Sequence, residues 1–182
     1  NADLAGRQTA VRADGSSMLV WETDCASATS CNVYARRLDA HGQPIASGDA
    51  ARDDDFVANR LVQVARDPAV AASEAGYLVT WAGSASASSE FDIRATLLDP
   101  AGGIVADDVA VSTDTAQEGS ATPFARADGS FLIVWARARP DGGTDLVARR
   151  SIAQVTMGGT VVVAAAELGT RTRPHGVGLA KR

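Results

Sequence analysis

The apolar positions of this chain fall into short blocks, each closed by a turn. The clearest is "FLIVWARA" from Phe131, preceded by "DGS" at Asp128. A close copy, "DGSSMLVWETD", begins at Asp14, and a looser one, "EAGYLVTWAGS", at Glu74. The blocks are rich in β-branched and aromatic residues, too short for helices, and bounded by Gly, Asp and Ser, so they read as strands. Because the apolar residues are consecutive, each such strand is expected to be covered on both faces. The Asp-Gly pairs at Asp14 and Asp128 are two-residue hairpin signals, since Gly accepts a positive φ at little cost.

Further markers recur in the same order. Trp21, Trp81 and Trp135 end the three blocks, spaced by 60 and 54 residues. Pro68 and Pro123 stand about thirteen residues upstream of the second and third. Downstream come "VYARR", "IRATL" and "LVARR", centred on Ala35, Ala95 and Ala148. A glycine-marked turn and another apolar stretch follow: "HGQPIA" at His41, "AGGIVA" at Ala101, "GGTVVVA" at Gly158. Only "VVVAAAEL" has helical propensity, and its valines follow a Gly-Gly turn, so it too reads as strand. Four antiparallel strands repeated in tandem are the signature of β-propeller blades. A lone four-stranded sheet leaves two apolar faces wet, and blades stacked around an axis bury both. The recurring tryptophans are therefore expected to be packing residues.

The pattern "DGSFLIVW" together with "VYARRLDAHGQPI" resembles a tandem repeat of secreted and surface proteins of bacteria, including myxobacteria. The resemblance covers nearly the whole chain. It implies a repeat type but little about function, because such repeats occur in adhesin-like proteins and lipoproteins. The middle copy departs from it, with Glu74-Ala75-Gly76 in place of Asp-Gly. The third has Ser151-Ile152 where the pattern has Leu-Asp.

The expected organisation is one all-β propeller segment with blades at 5–63, 64–118 and 119–171, and the start of a further blade at 172–182. Pro174 in "TRTRPHGVGLAKR" sits where Pro68 and Pro123 sit. Three blades are fewer than a propeller normally has. The remaining blades are expected from the same precursor, cut after the dibasic Lys181-Arg182, or from a second copy that completes the ring.

The net charge of −5 argues against a general nucleic-acid binder, which needs a basic face. No apolar run is long enough to span a bilayer. Cys25 and Cys31 lie in "CASATSC", separated by small polar residues. No further Cys or His stands nearby to make a metal site, and the spacing is wider than a redox C-x-x-C, so a local disulfide is the first reading and two free thiols the second. A disulfide points to an extracellular, cell-surface or periplasmic location.

Catalytic motifs are absent: no H-E-x-x-H, no G-x-S-x-G and no phosphate loop occurs, and no catalytic residue is assigned. Strands alternate in direction, so the loops after the second and fourth strands share one rim. That rim should carry "ETDCASATSC", "AGSASASSE", "ARARPDGGT" and "GDAARDDDFVANR". Candidate ligand residues there are Asp24, Asp53, Asp54, Asp55, Phe56, Phe91, Arg137 and Arg139. Adjacent acidic residues most often form a solvated loop; Asp53 and Asp55 are weak candidates for Ca²⁺, and no other cofactor is expected. The leading expectation is a non-catalytic extracellular propeller fragment that binds a polar ligand, a glycan or a surface protein, or is a structural piece of a surface assembly. The alternative is a fragment of a propeller-fold glycan-active hydrolase with its catalytic residues mostly elsewhere.

Overall fold

The computed structural model describes residues 5–27, 30–45, 56–58, 64–84, 90–151 and 157–166. Among them there are twelve strands and no helix. They are β1 (Ala5–Val11), β2 (Ser17–Ser27), β3 (Ser30–Leu38), β4 (Phe56–Val57), β5 (Val64–Ser73), β6 (Gly76–Ser84), β7 (Asp92–Leu98), β8 (Ile104–Ala110), β9 (Glu118–Ala125), β10 (Phe131–Ala138), β11 (Thr144–Ser151) and β12 (Met157–Ala166). "VVVAAA" lies within β12.

Pairing follows chain order in three antiparallel groups: β1 to β4, β5 to β8, and β9 to β12. A single parallel pair, Cys31 with Val64, joins the first two groups into one path. Phe56 does not sit in a rim loop as expected: it belongs to β4 and pairs with Ala35. A bridge between Leu38 and Pro44 precedes it, so the acidic run falls in sequence between two pairings to β3. Asp53, Asp54 and Asp55 lie outside the described residues.

The groups pack face to face, and the faces alternate residue by residue. Met18, Val20, Val33 and Ala35 of the first group pack with Tyr77, Val79 and Trp81 of the second. Leu78, Ala82 and Ile93 of the second pack with Phe131, Ile133 and Trp135 of the third. In each junction the Trp-bearing face of the later group lies on the opposite face of the earlier one. The middle strand β6 is therefore buried along its whole length. Each large apolar side chain removed from water contributes about 1.5–3 kcal/mol, so these two seams are the main cohesion between groups.

Two expectations need correction. β10 alternates buried and half-buried positions and is not covered on both faces. Trp81 and Trp135 are 0% and 1% exposed, but Trp21 is only half-buried, stacked on Tyr34 at 5.9 Å between ring centres. The cause is the same in both cases: a face is dry only where a neighbouring group covers it.

The turns also differ from expectation. Arg12 N–H donates to the Ser16 carbonyl at 2.8 Å, and Gly15 N–H to the Arg12 carbonyl at 3.0 Å. Asp14-Gly15 thus belongs to a three-residue loop closing on a left-handed glycine. The same turn recurs at 39–43, 99–103, 126–130 and 139–143. In the first, Asp14 Oδ1 accepts from Ser16 N–H at 2.9 Å. The two-residue hairpin occurs where the Asp-Gly signal is missing: Ser73 pairs with Gly76 around Glu74-Ala75. Gly76 has φ +133°, and a Cβ there would lie 2.0 Å from the Leu98 carbonyl oxygen.

Candidate functional site

The first strand of each group is interrupted at the same place. β1, β5 and β9 each slip register near their starts. At the slip stand Gly6, Asp67 and Ser120, with φ of 58°, 54° and 54°. They are equivalent, because Ala10, Ala71 and Phe124, four residues on in each copy, pair with Met18, Leu78 and Leu132. A non-glycine residue held in the left-handed region costs about 1–3 kcal/mol. The fold nevertheless keeps it in two of three copies. The first and second groups are tied at this level, where Asp67 N–H donates to Glu22 Oε2 at 3.0 Å.

Between the second and third of these bulges lies a cleft of about 170 Å³ lined by Arg66, Asp67, Ala82, Phe91, Gln117, Glu118 and Gly119. It opens on the rim of the loops after the second and fourth strands. The Arg66 guanidinium stands over the Phe91 ring, 5.8 Å from its centre, a cation–π arrangement that fixes both side chains. Gln117 Oε1 accepts from the Phe91 N–H at 3.2 Å. Glu118 forms the floor. It is 1% exposed, accepts from Trp135 Nε1 at 2.8 Å, and accepts from the Ser112 hydroxyl. Burial pushes its pKa up, against those two hydrogen bonds. Asp92 is likewise raised, first by burial, with Asp114 and Glu90 adding repulsion.

Beside the cleft runs a chain of alternating charges. Arg137 pairs with Asp114 at 3.0 Å and with Asp145 at 3.1 Å. Arg139 pairs with Asp145 at 3.4 Å and with Asp141 at 3.1 Å. The hydrogen bonds that Arg137 donates to Asp145 and Asp114 hold its pKa above the ordinary value. Arg137 and Arg139, expected as ligand contacts, are thus engaged with carboxylates of the β10–β11 hairpin and of the segment between β8 and β9. Of the expected rim residues that are described, only Phe91 lines the cleft. The Asp24 side chain lies outside the described residues.

Sequence reasoning missed Arg66, Asp67, Gln117 and Glu118. A signal existed for Glu118: in the repeat register it stands where the other copies have Leu4 and Ala65. A carboxylate replacing an apolar residue at a packing position marks a built-in polar contact. Among the described residues no group of three His, Cys, Asp or Glu could hold a metal ion.

A second cavity, about 600 Å³, lies on the opposite rim, where no site was expected. It is lined by the first turns of all three groups, including Arg12, Glu74, Arg126 and Asp128. Arg12 Nε ties the first turn to the second by donating to the Ser73 carbonyl at 3.1 Å, and its Nη1 donates within its own turn to Asp14 at 2.7 Å. Cys31 is fully buried.

No family model and no curated protein matches the chain. Solved structures do. The GH43 endo-arabinanase from Bacillus licheniformis matches at TM-score 0.50 and 13% identity, over 81% of this chain and 51% of that one. A thermostable family-43 glycoside hydrolase matches at TM-score 0.55 and 12% identity, over 92% of this chain and 60% of that one. Both are five-bladed β-propeller enzymes. The likeness is one of fold, and this chain spans about half to three fifths of their length. Among the described residues no helix is long and apolar enough to cross a membrane.

Proposed function

We propose that this chain is a three-bladed segment of an extracellular β-propeller that binds a polar ligand, a glycan in the first place, without itself performing catalysis. The observation that carries this reading is the Phe91 cleft. An aromatic face, a guanidinium, an exposed carboxylate and an amide converge at the bulges of two adjacent groups, the mix of apolar surface and oriented polar groups that sugar rings require. The more deeply buried of the two raised carboxylates, Glu118, is held by Trp135 and Ser112 and supports the wall rather than facing a substrate. An adhesive or structural role in a surface assembly fits the same scaffold.

A second reading, a fragment of a glycan-active hydrolase, is favoured by the likeness to family-43 enzymes and by the raised pKa values of Glu118 and Asp92. In that reading the missing catalytic groups lie elsewhere. A Cys25–Cys31 bridge fits the extracellular location, and mass measurement before and after reduction tests it. Ca²⁺ at Asp53 and Asp55 is a further proposal, tested by calorimetric titration with the ion.

Titration calorimetry with arabino-oligosaccharides, preceded by a glycan array, tests the function. The expected result is saturable binding weakened about tenfold by Phe91→Ala, equivalent to about 1.4 kcal/mol. Binding without release of reducing sugar supports the module, release of sugar supports the hydrolase, and no response to any glycan overturns the ligand class.

A further inference from the structure

Two arginines of this molecule stand over aromatic rings, and they differ in what else they touch. On the rim of the first turns, the Arg12 guanidinium lies 5.9 Å from the centre of the Tyr77 ring. It also donates to the Asp14 carboxylate at 2.7 Å and to the Ser73 carbonyl at 3.1 Å. On the other rim, Arg66 lies 5.8 Å from the centre of the Phe91 ring and makes no hydrogen bond or ion pair with any described residue. Arg137 and Arg139 on that rim are each paired with carboxylates. A ring attracts a cation through its π face but offers no oxygen to the N–H donors of a guanidinium. Those donors form a fixed fork that matches a carboxylate. Arg66 is half-buried, and exposed Asp67 lines the same cleft. Gly119 lines it too, and occupies in the third copy the position of Arg66 in the second, as Ser120 does that of Asp67. A Cβ at Gly119 would meet no atom within 4 Å, so the cleft has room on that side.

We propose that this cleft takes a single acidic sugar, a hexuronic acid, with its carboxylate on the Arg66 fork and a ring hydroxyl on Asp67. The sugar class rests on the reading of this cleft as a glycan site. Its volume of about 170 Å³ is the space of about six liquid waters, which suits one ring and not a longer stretch of chain. Arg12 shows the complete arrangement of ring, cation and carboxylate, built from the protein's own residues. At Arg66 the ring and the cation are present, and the ligand supplies the carboxylate. Asp67 decides against a bare anion, which would meet a like charge with no donor to offer it. A sugar acid brings both a carboxylate for Arg66 and hydroxyl donors for Asp67. Charge-assisted hydrogen bonds are roughly twice as strong as neutral ones, so the acid gains over a neutral sugar of the same shape.

NMR titration of the full chain with sodium glucuronate and galacturonate, against their neutral amides and against acetate, tests this. The better of the two acids should bind about tenfold more tightly than its amide, and more tightly than acetate. The Phe91, Gln117 and Gly119 amide signals should shift, and the affinity for the acid should fall as sodium chloride is added. Arg66→Gln should bring the acid down to the level of the amide. Arg66→Lys, which keeps the cation without the fork, should restore part of the difference. Gly119→Leu should fill the cleft and weaken acid and amide alike. Far-UV circular dichroism checks the fold of each variant. Equal binding of acid and amide, or an acid affinity unchanged by Arg66→Gln, overturns the proposal and leaves the glycan reading standing. Acetate binding as tightly as the acid overturns it too, since the sugar then contributes nothing. Binding of arabino-oligosaccharides but of neither acid overturns the sugar class alone, and silence toward every sugar overturns the class and the glycan reading together.

Discussion

The two junctions inside this molecule share a plan and differ in chemistry. The first, between Met18, Val20, Val33 and the Tyr77–Val79–Trp81 face, is almost wholly apolar. Trp81 is fully buried there, and its Nε1 has no hydrogen-bond partner among the described residues. The second places Glu118 behind Trp135, whose Nε1 donates to it. The position that holds Glu118 in the third copy is Ala65 in the second. One repeat therefore builds the same seam with and without a buried carboxylate. The shape of the interface comes from the apolar frame, and the polar pair is an addition that puts a titratable group in one junction.

The largest effect expected from this contrast is at the tryptophans. Trp81→Ala should cost about 3–5 kcal/mol, the usual range for emptying a large buried site. It removes an indole whose N–H was unsatisfied, so none of that loss is a hydrogen bond. Trp135→Ala falls in the same range and also strips Glu118 of a donor. Trp21→Ala, on a half-open face, should cost less than either in the isolated chain. Urea denaturation of the three variants at low protein concentration checks the order. A Trp21 effect equal to the Trp81 effect would mean that its face is covered.

Much of this order was legible in the sequence. The recurrence of Trp, of the Ala frame and of the glycine turn indicated four strands per copy, because strand period and turn chemistry are local. What lay beyond reach was set by neighbours. Nothing in "SMLVW" distinguishes it from "YLVTW", yet Trp81 is buried against the first group while Trp21 is half-buried, with no described group packed on its face. The Asp-Gly pairs marked turns correctly but gave the wrong loop length, since Ser16 and Ser130 each supply contacts to the preceding aspartate that stabilise the longer form. The arginines of "ARARP" were expected as ligand contacts, and only tertiary structure shows Asp114 and Asp145 meeting them.

Glu118 gives the next effect in size. Glu118→Ala leaves the buried Trp135 N–H without an acceptor, which should cost about 1–3 kcal/mol. Glu118→Gln keeps an acceptor for Trp135 and removes the charge, so it separates hydrogen bonding from ionisation. The folded pKa of Glu118 lies above its unfolded value because burial disfavours the carboxylate. The native state then holds this proton more tightly than the unfolded chain. Relative to Glu118→Gln, wild-type stability should be highest below the unfolded value and fall as pH rises from there through the folded value. Denaturation curves of the pair at pH 4 and pH 8 give the sign. The first junction, lacking a carboxylate at Ala65, should contribute no matching difference, so a variant there such as Val79→Ala should show the same cost at both pH values.

The smallest effect separates the junctions by their threonines. The middle group sends one threonine hydroxyl into each seam: Thr96 Oγ1 donates to the Ala58 carbonyl at 3.3 Å, and Thr80 Oγ1 to the Ala121 carbonyl at 3.4 Å. The second bond is long, and the same position holds Val20 and Val134 in the other copies, so the frame accepts valine there. Thr80→Val should change stability by less than about 1 kcal/mol. Thr96 has a further role, since its hydroxyl accepts the Asp108 N–H at 3.1 Å. Asp108 is buried and has φ 47°, so valine at 96 would leave a buried donor unpaired at an already strained residue. Thr96→Val should therefore cost about 1–3 kcal/mol, and the Asp108 amide should exchange with deuterium faster. Equal costs at 80 and 96 would mean that the Asp108 amide finds another acceptor, and that the first junction is no more dependent on its polar contact than the second.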